Sequence, residues 1–164
     1  MGYYIIIRGP LGLGKSTISK ALAKILKGAY ISVDKVLEKN KLDKRDEKLG
    51  CISPQNFIKA DKIILPEVEE RLAKGKIIIF DGCFYHKEQI KHLIDNLPYK
   101  HYVFTLKAPL EVCIKRDSKR KRVYGEGAAM AVHGLVSRFD YGTIIDTNNK
   151  TEKEVIDEIL THIK

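Results

Sequence analysis

The chain has 164 residues, of which 44% are hydrophobic and 31% charged, and a formal net charge of +9. These values suit one soluble globular domain over 1–164 with its own core. The positive excess points to anionic partners such as nucleotides, phosphorylated metabolites or nucleic acid, with a lysine-rich solvated surface as the alternative. Cys51, Cys83 and Cys113 are far apart and form no CxxC or Cys/His cluster. That argues against a disulfide framework and a zinc site, and for a reducing cytosol. No secretory leader pattern opens the sequence, and no apolar run nears the ~20 residues of a membrane span. A cytoplasmic protein, monomer or homodimer and off the membrane, is expected.

Residues 3–7 are a short β-rich run, followed by a glycine loop and a helix over about 15–27 that Gly28 would end as its C′ residue. Residues 29–33 read as a second strand with Asp34 at its end. Ser53 and Pro54 suit the N-cap and N1 positions of a helix toward Ala73, closed by Gly75 and kinked or split by Pro66. Residues 76–80 form a third strand ending at Asp81-Gly82. A helix over 87–96, a strand at 102–106 and a helix from 109 follow. Residues 128–139 are apolar at helical spacing, 143–145 form a last strand, and Thr151 with Glu154 makes a capping box for a final helix. Alternating strands and helices predict an α/β protein with a parallel sheet, whose ligands bind at the carboxyl ends of the strands.

Gly9-Pro10-Leu11-Gly12-Leu13-Gly14-Lys15-Ser16 fits G-x-x-x-x-G-K-[ST] and stands between a strand and a helix. Glycines let successive N–H groups converge on phosphate oxygens, and the helix that follows points its positive end at the same anion. Gly9, Leu11, Gly12, Leu13, Gly14, Lys15, Ser16 and Thr17 are therefore candidate ATP ligands. Lys15 would reach the β- and γ-phosphates, and Ser16 would ligate Mg²⁺. Asp81, closing an apolar strand, is the candidate second metal ligand, or else a turn aspartate. Asp34 would lie beside the loop and accept or orient the proton of an attacking hydroxyl, unless it caps a helix over 35–39.

Six of the eight residues from Lys115 to Arg122 are basic. A hinged basic lid over about 116–127 would place positive charge over the transferred phosphate and exclude water, with Arg116 and Arg120 on one helical face. A solvated charge run or a nucleic-acid patch is the alternative. Residues 41–57, rich in charge, are the expected acceptor-binding insert. Asn40-Lys41-Leu42-Asp43 spells the guanine-reading N-K-x-D but precedes Asp81 rather than following it, so guanine recognition is not expected of it. The five histidines show no metal-ligand spacing.

"GPLGLGKST", "ISVDKV", "IIIFDGCFYHKEQI", "FTLKAPLEVCIKRDSKR" and "TIIDTNNKTEKEVIDEIL" together resemble the small P-loop kinases. These include shikimate and gluconate kinases, chloramphenicol phosphotransferase, the kinase domain of phage polynucleotide kinase and adenylylsulfate kinase. The resemblance implies a three-layer α/β/α P-loop fold, with a five-stranded parallel sheet in the order 2-3-1-4-5 and a short lid. It implies an ATP- and Mg²⁺-dependent phosphotransferase acting on a hydroxyl of a small metabolite, a nucleoside or nucleotide, or a polynucleotide 5′ end. In it, Lys15, Asp34, Arg116 and Arg120 are catalytic, and Thr147 and Asn148 lie in the loop that packs on adenine. The acceptor is expected to be anionic or nucleotide-like. "PLEVCIKRDSK" looks like adenylylsulfate kinase. The rival of another class is an ATP-regulated ATPase that grips nucleic acid through the basic segment.

Overall fold

Ile5 and Ile7 point to one face of the first strand, and Tyr4 and Ile6 to the other, and all four are fully buried. Such a strand needs a layer of helices on each side. The computed structural model, which describes residues 1–121 and 123–164, has that arrangement. In chain order the elements are β1 (Tyr3–Arg8), α1 (Lys15–Ile25), β2 (Ala29–Ser32), α2 (Val33–Lys39), α3 (Pro54–Ala73) and β3 (Ile77–Gly82). They continue with α4 (Lys87–Asn96), β4 (Lys100–Lys107), α5 (Leu110–Ser118), α6 (Glu126–Val136), β5 (Thr143–Asp146) and α7 (Glu152–Thr161). The sheet is parallel throughout, in the order β2-β3-β1-β4-β5. Tyr4, Ile6, Ile78, Phe80 and Val103 pack beneath α2, α3, α4 and α6. Ile5, Ile7, Ile79, Phe104 and Leu106 pack beneath α1 and α7. Among the described residues no helix is long and apolar enough to cross a membrane.

Several element ends differ from expectation for local reasons. Helix α1 stops two residues short of 27. Leu26 is its C-cap, and Lys27 takes the left-handed C′ position at φ 52°. Lys27 N donates to Lys24 O at 3.3 Å and Gly28 N to Ala23 O at 2.8 Å, which completes a Schellman turn. Gly28 is needed one position later, for space, since a Cβ there would lie 2.7 Å from Ile77 O. Ser32, not Asp34, caps α2 by accepting from Lys35 N at 3.3 Å. Helix α3 runs unbroken through Pro66. Helix α5 ends at Ser118 with Lys119 as C-cap, so Arg120 lies beyond the helix and does not share a helical face with Arg116. Residues 54–57 of the expected insert are the first turn of α3. Residues 126 and 127 of the expected lid begin α6. Arg122 of that segment lies outside the described residues.

Between α3 and α4 the Asp61 carboxyl is buried, with Gln89 Nε2 donating to Oδ1 at 3.2 Å and His92 Nδ1 lying 3.3 Å from Oδ2. Burial pushes Asp61 up to about 8, and the hydrogen bond from Gln89 opposes this only in part. Burial also lowers His92. A native carboxyl that holds its proton more tightly than in the unfolded chain stabilises the fold fully at acid pH. That contribution is lost as pH rises toward 8. Asp61→Asn keeps the shape without the titration. Its melting temperature relative to the unsubstituted protein is expected to rise between pH 5 and pH 9, and a constant difference across that range would refute the buried-acid account.

Candidate functional site

Three parallel strands end at one edge of the sheet and carry the polar side chains there. The loop after β1 curls with Gly12 at φ 84° and Gly14 at φ 73°, left-handed conformations that cost other residues free energy. At Gly12 a Cβ would also meet Cys113 O at 2.3 Å, so α5 presses directly on the loop. Gly14 is the N-cap of α1, and Lys15, Ser16 and Thr17 form the helix's first turn. Its unpaired N–H groups and positive end face the loop's concavity, an arrangement suited to phosphate. Lys15 Nζ donates to Pro10 O at 2.8 Å and is largely buried.

Beside it, Ser16 Oγ donates to Asp81 Oδ2 at 2.7 Å, and Tyr30 Oη donates to the same oxygen at 2.6 Å. The pairing of Ser32 with Asp81 brings the ends of β2 and β3 level, which sets this contact. Burial pushes the Tyr30 phenol up to about 12, and the Asp81 hydrogen bond adds to the rise. A hydroxyl and a carboxylate in contact are hard oxygen donors of the kind Mg²⁺ takes together with phosphate oxygens and water. Asp34, in the first turn of α2, faces the same cleft. Burial raises its pKa, Lys15 opposes the rise, and Asp81 and Glu38 add to it. The residue is nevertheless exposed to the solvent of the cleft.

The cleft is a cavity of about 530 Å³. The loop residues from Leu11 to Ile18 form its floor, with Asp34 and Asp81 at one end. Arg116, Arg120 and Thr147 stand on its walls. Arg116 donates through Nη1 to Thr147 Oγ1 at 3.1 Å and through Nη2 to Thr147 O at 3.0 Å. Arg120 lies with its guanidinium 5.2 Å from the centroid of Tyr124. Asp117, buried at the end of α5, accepts from Tyr124 N at 3.3 Å and Gly125 N at 3.0 Å and so folds the basic segment back. Two candidates stand apart from the cavity. Gly9 lies where a Cβ would meet Leu106 O at 2.9 Å, a site of close strand packing. Asn148 donates its backbone N–H to Asp146 Oδ1 at 2.8 Å, in the loop after β5. Lys119 and Tyr124 of the expected lid also line the cavity, as do Lys150 and Glu152, to which no sequence pattern assigned a role.

A second cavity, of about 210 Å³, opens from the first, and Leu11, Asp34 and Tyr124 belong to both linings. Its remaining wall comes from α2, the loop before α3, the end of β3 and α6. Asn40, Lys41 and Leu42 end α2 in a tight turn, with Asn40 Nδ2 donating to Val36 O at 2.8 Å, while Asp43 reaches the rim of this cavity.

Fold and site together define a nucleotide-binding protein of the small P-loop kinase kind. Residues 5–138 match the family model described as the AAA domain, and the chain belongs to that family. It is 31% identical over 167 residues to a Methanocaldococcus jannaschii protein named "Putative adenylate kinase", covering 98% of this chain and 85% of that protein. It is 26% identical over 168 residues to a shikimate kinase of Francisella tularensis, covering 97% and 93%. A sugar kinase structure from Janibacter sp. HTCC2649 superposes with a TM-score of 0.77 at 15% identity, over 98% of this chain and 94% of the other.

Arg8, immediately before the loop, escaped the sequence patterns. It is fully buried, with Nε donating to Phe84 O at 3.3 Å, Nη1 to Thr105 Oγ1 at 3.0 Å and Phe139 O at 3.2 Å, and Nη2 to Val136 O at 3.1 Å. Its guanidinium also sits 4.3 Å from the Phe139 ring centroid. Burial lowers its pKa to about 10, with Asp140 opposing. A lysine cannot span these acceptors, because its ammonium is a single point donor. Arg8→Lys is expected to cost about 2–4 kcal/mol, from acceptors left unpaired and a charge left buried. Chemical denaturation showing a loss below about 1 kcal/mol would remove the tether from the account.

Proposed function

We propose that this protein transfers the γ-phosphate of ATP, with Mg²⁺, to a hydroxyl of an acceptor held in the second cavity. The observation that carries the reading is the shared position of Asp34, which lines both the cavity over the phosphate loop and the smaller one beside it. An acceptor in the second cavity would present its hydroxyl to that carboxylate and its oxygen to the terminal phosphate. Asp34, its pKa raised chiefly by the desolvation of its site, is a better proton acceptor than an unperturbed aspartate. The acceptor oxygen bonds to the γ-phosphorus, the bond from phosphorus to the β–γ bridging oxygen breaks, and the acceptor proton passes to Asp34. ADP then leaves with the electron pair.

The loop N–H groups and Lys15 bind and orient the phosphates. Ser16 and Asp81 would hold Mg²⁺, which neutralises charge on the β- and γ-oxygens when bound. Tyr30 fixes the Asp81 carboxylate. Arg116 and Arg120 supply further positive charge, and the segment over 116–127 would close over the phosphates as a lid. Thr147 holds Arg116 in place through both of its hydrogen bonds. The named relatives are kinases with different acceptors, so they support phosphoryl transfer without choosing the acceptor.

Lys15→Ala is expected to lower kcat/KM by at least ~100-fold, while the thermal unfolding of the protein is unchanged or nearly so. Asp34→Asn is expected to lower kcat by ~100- to 10,000-fold with ATP affinity preserved. The assay is transfer of label from γ-labelled ATP to an acceptor, beside ATP binding by calorimetry. An Asp34→Asn variant that loses ATP affinity in step with turnover would make Asp34 a structural residue. Labelled free phosphate with no labelled acceptor, released faster with single-stranded nucleic acid, would favour the ATPase reading.

A further inference from the structure

We propose that the second cavity takes a small alcohol with an apolar face and no anionic group, neutral or cationic. This rests on the phosphotransferase reading and names the acceptor class within it. Three observations carry it.

The first is size. At about 210 Å³ the cavity is less than half the volume of the one over the phosphate loop. It also falls below the roughly 300–1,000 Å³ of sites for drug-sized ligands. A second nucleotide, or a polynucleotide end with its neighbouring phosphates, calls for more room than this cavity offers.

The second is the wall. Leu37, Cys51, Cys83 and Tyr85 are buried apolar liners, and α6 adds Val132 and Leu135. A fully hydroxylated sugar acid would leave this wall facing polar groups without hydrogen-bond partners, at a cost for each group. An acceptor with an apolar face gains from covering it.

The third is charge. Among the described lining residues the one cation is Arg45, which is exposed, while Asp34, Glu38 and Asp43 bring carboxylates. Specific capture of a carboxylate or phosphate calls for a guanidinium aimed into the site. Arg8 cannot serve, because Phe84, Thr105, Val136 and Phe139 take its donors. Lys15, Arg116, Lys119, Arg120 and Lys150 all line the first cavity and not the second. The positive charge in the cleft therefore answers the triphosphate, and the excess of +9 in the chain does not require an anionic acceptor.

The test uses the full chain and γ-labelled ATP with size-matched acceptors of four kinds: neutral aromatic or aliphatic alcohols, amino alcohols, hydroxy acids and nucleoside monophosphates. Transfer to the first two kinds is expected with kcat/KM at least ~10-fold above the last two, the scale on which a single unpaired charge discriminates ligands. Val132→Lys, which adds a cation to the α6 wall, is expected to narrow or reverse that preference. Faster transfer to a hydroxy acid or a nucleoside monophosphate would overturn the proposed acceptor class and leave the kinase reading standing. An unchanged acceptor preference in Val132→Lys would remove the second cavity as the acceptor site. Hydrolysis of ATP without transfer to any of the four would overturn the phosphotransferase reading itself.

Discussion

Parallel pairing on both sides of β1 is the constraint from which the site follows. Ile7 stands level with Asp81 on one side and Arg8 level with Thr105 on the other. Because the strands run the same way, their carboxyl ends share one edge, and every chain reversal there begins a loop at the same height. The phosphate loop, the Asp81 carboxylate and the start of α2 are thus neighbours before any side chain makes a contact. The hydrogen bonds from Ser16 and Tyr30 to Asp81 Oδ2 then tie three segments far apart in sequence to one oxygen. An antiparallel neighbour in place of β3 would send its end to the opposite edge and leave Ser16 without that partner.

Much of this was legible where the signal is local. Helix α4 spans the expected residues, Ser53 caps α3, and Thr151 and Glu154 make the reciprocal capping bonds of α7. Each depends on residues three or four apart, which the sequence displays directly. The glycine loop was legible for the same reason, since its residues are consecutive. What the sequence hid is long-range. Arg8 bonds to groups 76 to 131 residues away, and Tyr30 reaches Asp81 across 51 residues. The left-handed Lys27 was masked by its neighbour. Gly28 looked like the turn residue, but it is demanded by the backbone of β3. The end of α5 was misjudged because Arg116 and Arg120 have helical spacing, whereas Asp117 draws the chain back toward Tyr124 and Gly125.

The two cavities divide the chemistry of the cleft. One is basic and built around a loop that any nucleoside triphosphate could occupy. The other is small and largely apolar, and most of its wall comes from elements outside the loop: α2, the 40–53 stretch, the residues after β3 and α6. Family membership and the fold therefore speak to the first cavity, while under the proposed function the second would decide the acceptor. The relatives bear the names of different kinases, as such a division would allow.

Arg8 also bears on how the molecule moves. Its guanidinium grips Val136 O at the last residue of α6 and Phe139 O just beyond, so the carboxyl end of that helix is fastened to the sheet. The opposite end of α6 follows the basic segment and carries Ala128 on the second cavity. A helix of eleven residues is a lever of about 16 Å. Were the segment before it to rearrange, the helix would swing about that pivot, and a small rotation at Val136 would become a displacement of ångströms near Tyr124. Under the proposed function the same stroke would tighten the wall of the second cavity and bring Arg120 over the phosphates, which would couple filling of one cavity to closure of the other.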